Sequence, residues 1–353
     1  MNRALRTALS TATATLLATV TLSSCSLVGG GDDDEGGSTV TLVTHSSFNL
    51  PKELIEQFEE DSGHQLKVKA AGDGGTLTNE LALNRNNPTG DVAFGVDNTF
   101  ASRAIEEKVF EAYEPELPAS AESLRIQGEG GDKMIPIDHG SVCVNVDLEW
   151  FAAQDLKAPQ RLADLTKPAY KDLFVIPGAS TSTPGMAFLL ATIAEYGDQW
   201  PAYWKKLMAN GAKLTQGWSD AYEGDFTGAS DKGKRPIVVS YDTSPAFTVT
   251  DGGTTTTAAL LDTCFEQIEY AGVLANADNP EGARALIDFL LSEDVQEALP
   301  DSMYVFPVDD TVDLPEAWAK FAEQPSDPYT VPPAEIAENR SAWLSEWTDI
   351  TSR

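Results

Sequence analysis

From Ser38 to Asn98 the chain switches repeatedly between two residue periodicities, and that alternation limits its fold more than any other feature. STVTLVTHSSF is β-branched and alternating, which reads as a strand. LPKELIEQFEEDSG opens on Pro51, carries apolar residues at helical spacing and closes on Gly63, which reads as a helix. HQLKVKAAG is the next strand, GTLTNELALNRNN a helix begun around Gly74 and Gly75, and DVAFGVDN a short apolar strand. Strand, helix, strand, helix, strand in this order specifies a parallel sheet with helices on its faces. Ligands of such sheets bind beyond the carboxyl ends of the strands. Here those ends carry His45 and Ser46, Gly72 to Gly74, and Asp97 and Asn98.

A second region follows. MIPIDHGSVCVNVD is a long β-rich run, and LADLTKPAYKDLFVIPG reads as helix, loop and strand. STSTPGMAFLLATIAEYG is a capped helix with Pro184 in its first turn, and QWPAYWKKLMANG is another helix. A helix is expected from Ser219, a buried strand in RPIVVSYDTSPAF, and a β-rich run in CFEQIEYAGVLAN. NPEGARALIDFLLSEDVQEAL reads as one long helix, with two further helices after Pro315. The long β runs around Cys143 and Cys264 each sit where the pattern changes. The expected architecture is therefore α/β, with two lobes joined by two crossing strands. Lobe 1 spans 39–139 plus 266–314, lobe 2 spans 140–265, and 315–353 adds C-terminal helices packing on the lobes.

Compartment and charge come from the N-terminus and the composition. MNRALR is basic, TALSTATATLLATVTL is small and apolar, and LSSC ends in Cys25. Residues 1–24 read as a signal peptide, too short and Thr-rich for a membrane span. Leu-Ser-Ser-Cys resembles a bacterial lipobox, which implies a lipid on Cys25; the alternative is an ordinary leader with an incidental cysteine. SLVGGGDDDEGGS then reads as a flexible tether, so 25–38 is anchor plus linker. The protein is expected at the outer face of the cell membrane. Cys143 and Cys264 remain, and in an oxidising compartment they form either a disulfide across the hinge strands or two buried free thiols. A bridge would close a loop of about 120 residues, worth up to roughly 4–5 kcal/mol on the chain-entropy model. The chain has 24 Lys and Arg against 55 Asp and Glu, a net charge of −31. That excess repels nucleic acid and anionic membranes and mostly solvates the surface.

Catalytic motifs are weak. GWSDAY, Gly217 to Tyr222, lacks the second glycine of a Gly-x-Ser-x-Gly elbow, and none of His45, His64 and His139 lies downstream of Ser219. GDGG lacks the lysine of a Walker loop, and no spacing of Cys and His suggests a metal. Binding vocabulary is richer: Asp73, the STSTPG cap, Trp218 with Tyr222, Tyr241 to Ser244, and Tyr304 with Phe306 place hydroxyls or acids beside aromatic rings. Aromatic faces attract organic cations, at about 0.5–2 kcal/mol each. Each feature alone is equally a core residue or a plain helix cap.

Taken in order, GDG at Asp73, DVAFGVDN, PIDHG, TSTPG, GWSDAY, SYDTSPAF and SAWLSEW resemble the thiamine-binding proteins of bacterial ABC importers, from about Val40 to the C-terminus. The resemblance implies a two-lobed type II periplasmic-binding fold, no enzymatic activity, no cofactor, thiamine or its phosphate esters as transported ligand, and an ABC permease with its ATPase as partner. It also implies roles for Asp73 and Gly74 beside the ligand, for Ser182 near its phosphate end, and for Trp218, Tyr222, Tyr241 and Ser244 around it. Two positions depart from that pattern: His45-Ser46 where relatives often have Tyr-Asp, and Tyr304 where they have Trp. His45 can stack or donate, and it can also charge near pH 6.5 and repel a cation. No Tyr-Tyr pair of the iron-binding branch occurs, so no metal is expected. A monomer is expected. The competing readings are a binding protein for a polyamine or an organic anion, a secreted serine hydrolase using Ser219, and a purely structural surface lipoprotein.

Overall fold

The computed structural model describes residues 39–352; the leader, Cys25 and the tether lie outside the described residues. The opening alternation becomes β1 (Thr39–Thr44), α1 (Lys52–Ser62), β2 (Gln65–Ala70), α2 (Gly74–Asn84) and β3 (Val92–Asp97). β1 pairs in parallel with both β2 and β3. After α3 (Ala101–Glu106) come β4 (Ile135–Asp147), α4 (Leu148–Ala153), β5 (Phe174–Pro177), α5 (Thr183–Tyr196), α6 (Trp200–Ala209), β6 (Lys213–Thr215) and β7 (Ile237–Tyr241). β8 (Thr257–Val273), α7 (Pro280–Leu290), α8 (Glu293–Met303), β9 (Phe306–Pro307), α9 (Glu316–Phe321) and α10 (Pro333–Thr351) complete the chain.

All nine strands form one sheet in the order β2-β1-β3-β8-β4-β7-β5-β6, with β9 on β4. β4 and β8, at 13 and 17 residues, run antiparallel through its middle, from Ile135 opposite Ala271 to Asp147 opposite Thr257. The parallel strands β1 to β3 flank them on one side, and β5 to β7 on the other. Apolar residues cover both flanks. Val40, Leu42, Phe94, Leu286 and Leu299 pack on the first, and Val144, Phe188, Trp204, Leu207 and Ile237 on the second. The pairing of the central strands slips between Val142 and Val144. Cys143 and Cys264 are joined by a disulfide there, across a sequence separation of 121.

Three local expectations are corrected. The helix read from Asn279 is two helices. Asn279 caps α7 by accepting the Gly282 N–H at 2.9 Å, but Ser292 is extended (φ −67°, ψ 151°) and α8 starts afresh after it. The Ser292 hydroxyl donates to the Phe289 carbonyl, a local bond that competes with helix continuation. LADLTKPAYKD forms two 3-10 turns, Leu162–Thr166 and Pro168–Tyr170, because a proline disfavours helix in the residue before it. The helix expected from Ser219 is a single π-type turn, Asp220–Asp225.

Candidate functional site

Strand register assembles the charged part of the site. Glu269 on β8 stands opposite Asp97 on β3 and, on its other side, opposite Asp138 on β4. Asp97 and Asp138 are 0% exposed and Glu269 is 7% exposed. Burial, the largest effect, raises the pKa of all three, Asp97 to about 7 and the other two well above the usual carboxylate range. For Glu269 the charges of Asp138, Asp97 and Asp73 add to the rise. His45, at the end of β1, places Nε2 3.8 Å from Glu269 Oε2. Its ring lies over Gly95, where a Cβ would come within 2.1 Å of it and where φ is +99°, so that position requires glycine. Burial pushes the His45 pKa down to about 4. The cationic imidazolium allowed for by the sequence is therefore not formed at neutral pH.

Asp73 ties the two flanks together. Its Oδ1 accepts the Gly74 N–H at 2.7 Å, and its Oδ2 accepts the Trp218 N–H at 2.8 Å. Burial raises its pKa, while the bonds from the Trp218 and Gly74 N–H groups work in the opposite sense; the Ser182 and Thr183 hydroxyls nearby are buried without a partner. The start of α2 thus presents its N–H to an anionic group, as helix N-termini do. Gly74 lies against Thr183, whose Oγ1 would be 2.2 Å from a Cβ at Gly74. The Thr76 N–H donates to the Thr181 carbonyl at 3.0 Å, a second link between α2 and the loop before α5.

The aromatic part comes mainly from the other flank, with Tyr304 added from the end of α8. Trp218 and Tyr222 stack with centroids 5.1 Å apart and planes 12° apart. Tyr304 and Tyr241 approach the same indole at 5.7 Å and 6.1 Å. The indole Nε1–H donates to Ser240 Oγ at 2.8 Å, Ser240 and Ser244 hydroxyls lie 2.8 Å apart, and Ser244 Oγ accepts the Tyr241 N–H at 3.2 Å. Tyr304 has φ +66°, uncommon outside glycine, and is held there by stacking on Phe247 and by the Thr243 hydroxyl on its carbonyl at 2.6 Å. A polar cavity of about 570 Å³ has Tyr222, Phe247 and Tyr304 in its wall; the acids lie outside that wall, buried in the sheet.

His45, Asp73, Gly74, Ser182, Trp218, Tyr222, Tyr241, Ser244 and Tyr304 thus meet in one region. Two details of GWSDAY emerge only in the fold. Asp220, the acid between the rings in sequence, is exposed, and the acid that reaches Trp218 is Asp73. Trp218 is only 6% exposed and packs with Val175, Ala221, Phe226 and Val238, so it is site wall and core at once. Asp138, Gln267 and Glu269 escaped sequence reasoning. Their signal was available, since each is an acid or amide inside or at the end of an apolar β run, where ionisable groups are rarely buried without purpose.

Neither of two histidines serves Ser219. His45 faces Glu269, and His139 stacks on Phe306 at 5.7 Å. His64 precedes Gln65, which pairs with Thr39 at the opposite end of β1 from His45. Residues 87–327 match the family model of the bacterial extracellular solute-binding proteins. The chain belongs to this family. Among relatives of this solute-binding protein, the thiamine-binding periplasmic protein of Escherichia coli (strain K12) is 31% identical over 321 residues, covering 89% of this chain and 94% of that one. The thiamine-binding periplasmic protein of Brucella suis biovar 1 (strain 1330) is 30% identical over 350 residues, covering 96% and 99%. A solved periplasmic thiamin binding protein superposes with a TM-score of 0.79 at 30% identity, covering 93% of this chain and all of that one. The fold is the type II periplasmic-binding fold, and the protein is an extracytoplasmic binding protein, not an enzyme.

Proposed function

We propose that this solute-binding protein captures thiamine between the two flanks of its sheet and delivers it to an ABC importer, a permease with its ATPase. The observation that carries the reading is the meeting of a four-ring cluster, Trp218, Tyr222, Tyr241 and Tyr304, with buried carboxylates. Thiamine pairs a permanently cationic thiazolium with a flat aminopyrimidine. Rings suit both its faces, and acids balance its charge. The names of the relatives agree with that chemistry. Thiamine is favoured over its phosphate esters, because the Gly74 and Trp218 N–H groups that could face a phosphate already donate to the Asp73 carboxylate, itself an anion at that place.

In this reading the lobes are 39–139 with 266–314, and 140–265, closing about β4 and β8. The ligand stabilises the closed arrangement and so shifts the population. Thiamine is cargo and no cofactor takes part. A lipid on Cys25 holds the protein, a monomer, to the outer face of the cell membrane. Titrating intrinsic tryptophan fluorescence with thiamine and with thiamine phosphate tests the cargo. Saturable change with both, tighter for thiamine, is expected. A flat response together with an unchanged Tm overturns the assignment and returns attention to polyamines and organic anions.

A further inference from the structure

We propose that cargo capture is an exchange of a cation for a proton at the Asp97–Glu269–Asp138 ladder, which makes these three acids and Gln267 the charge-reading end of the site. The inference rests on the reading of the cargo as an organic cation. Glu269 has one acid in register on each side, on β3 and on β4. Like charges opposed across strands repel, and three carboxyls buried this deeply cannot all be ionised without a counter-charge. The protein supplies none. Among the described residues no lysine or arginine forms an ion pair with any of the three. The titratable groups packed around them are His45 on β1, Asp73 at the start of α2, and Tyr241 and Asp242 at the end of β7. Burial keeps His45 neutral, and burial together with the surrounding acids keeps the Tyr241 phenol neutral. Protons are what remains to balance the ladder.

A second observation points to a ligand. Gln267 is 1% exposed and lies two residues along β8 from Glu269, on the same face, yet neither its amide nitrogen nor its oxygen has a partner. Thr44 Oγ1, on a residue with no exposure, and His45 Nε2 are likewise without one. Both oxygens of Asp138 face no donor, because its neighbour is the Glu269 carboxyl, and a hydrogen bond between two carboxyls needs a proton on one of them. Buried polar atoms in native proteins are nearly always satisfied. A set of donors and acceptors beside a neutralised acid ladder suits an amino-substituted heteroaromatic ring joined to a cationic one.

The exchange balances simply. Without cargo, carboxyl O–H bonds keep the ladder close to neutral. When a ring of charge +1 arrives, its field favours the ionised form. One O–H bond breaks heterolytically, the electron pair stays on the carboxylate oxygen, and the proton leaves to a buffer base. Net charge in the site is unchanged.

Calorimetric titration of the full-length protein with thiamine, in two buffers of different protonation enthalpy near neutral pH, tests this. About one proton released per thiamine is expected, with affinity rising from about pH 6 to about pH 8 by up to about tenfold per pH unit. Glu269→Gln, which keeps size and removes the titration, is expected to weaken binding at the higher pH by about 30-fold or more and to flatten the pH dependence. Asp138→Asn is the second variant should the first fold poorly, and the same flattening is expected. Thiamine binding with equal affinity at both pH values and no proton release overturns this inference alone. No binding of thiamine at any pH overturns the cargo reading, and this inference with it.

Discussion

The two flanks of the sheet contribute to one site in opposite ways. The β5–β7 flank brings rings tied to a chain of hydroxyls by hydrogen bonds made within the protein: Trp218 to Ser240, Ser240 to Ser244, Ser244 to Tyr241. The β1–β3 flank and the central strands bring His45, Asp97, Asp138, Gln267 and Glu269, and several of those polar atoms have no partner. The ring face of the β5–β7 side is held in place by its bonds before a ligand stacks on it. The other carries a burial cost that a ligand of the right charge relieves. Shape and selectivity are thus separable, with rings offering area to any flat molecule and acids deciding its charge.

The strongest way to break the comparison is to loosen the joint between the flanks. Cys143 and Cys264 lie on the two central strands, 121 residues apart. Replacing both with serine is expected to cost about 4–5 kcal/mol of stability on the chain-entropy model. Denaturant unfolding of the variant, with the parent in reductant beside it, checks this. Equal stability would mean that the pairing of β4 and β8 alone holds the flanks together. The next largest effect belongs to the ring side. Trp218→Ala removes a nearly buried indole and is expected to cost about 3–4 kcal/mol of stability. Thiamine affinity should fall with it. Trp218→Phe keeps a ring and loses the bond to Ser240, so it is expected to retain most of the stability while weakening binding by about tenfold.

How far the site was legible follows from the same division. The alternation of periodicities located His45, Asp73 and Asp97, because parallel strands end on one side of a sheet and those ends are visible along the chain. TSTPG and GWSDAY were legible as local motifs. The Asp97–Glu269–Asp138 ladder was not, because its meaning lies in the register of β8 against β3 and β4, each more than a hundred residues earlier in the chain. Within PIDHG or IEYAG each acid looks like an isolated polar residue in an apolar run. Asp73 was visible, but its contact with Trp218 is long-range and leaves no mark in either motif. The break at Ser292 was missed because Leu290, Leu291 and Val295 continue the apolar stripe through it.

The acid side can be sharpened without any ligand. Asp97 keeps its proton up to about pH 7 in the folded protein, against an ordinary value of 3.8. Its contribution to stability is full below about pH 4, where both states are protonated, and is lost as pH rises to about 7. The unfolded carboxyl ionises over that range and the folded one does not. For a fully buried group this amounts to about 2–4 kcal/mol. Chemical denaturation at pH 5 and pH 8 is expected to show the loss in the parent and a smaller loss in Asp97→Asn. Saturating thiamine should remove most of the difference. An identical pH dependence in parent and variant would place the titration elsewhere.

The smallest effect is the one that separates the two chemistries most cleanly. His45 sits against Glu269, and a histidine beside an acid is the usual suspect for pH dependence near neutrality. Here burial holds it uncharged down to about pH 4, so the pH dependence between 6 and 8 belongs to the carboxyls. His45→Gln keeps a neutral hydrogen-bonding side chain at the end of β1. It is expected to change thiamine affinity by less than about tenfold, the range of one neutral hydrogen bond, and to leave the pH at which affinity rises where it was. Glu269→Gln is expected to move or abolish that rise. If the histidine variant moves it instead, the imidazole is the group that titrates, and the unpaired charge of the β1–β3 flank begins at His45 and not at the ladder.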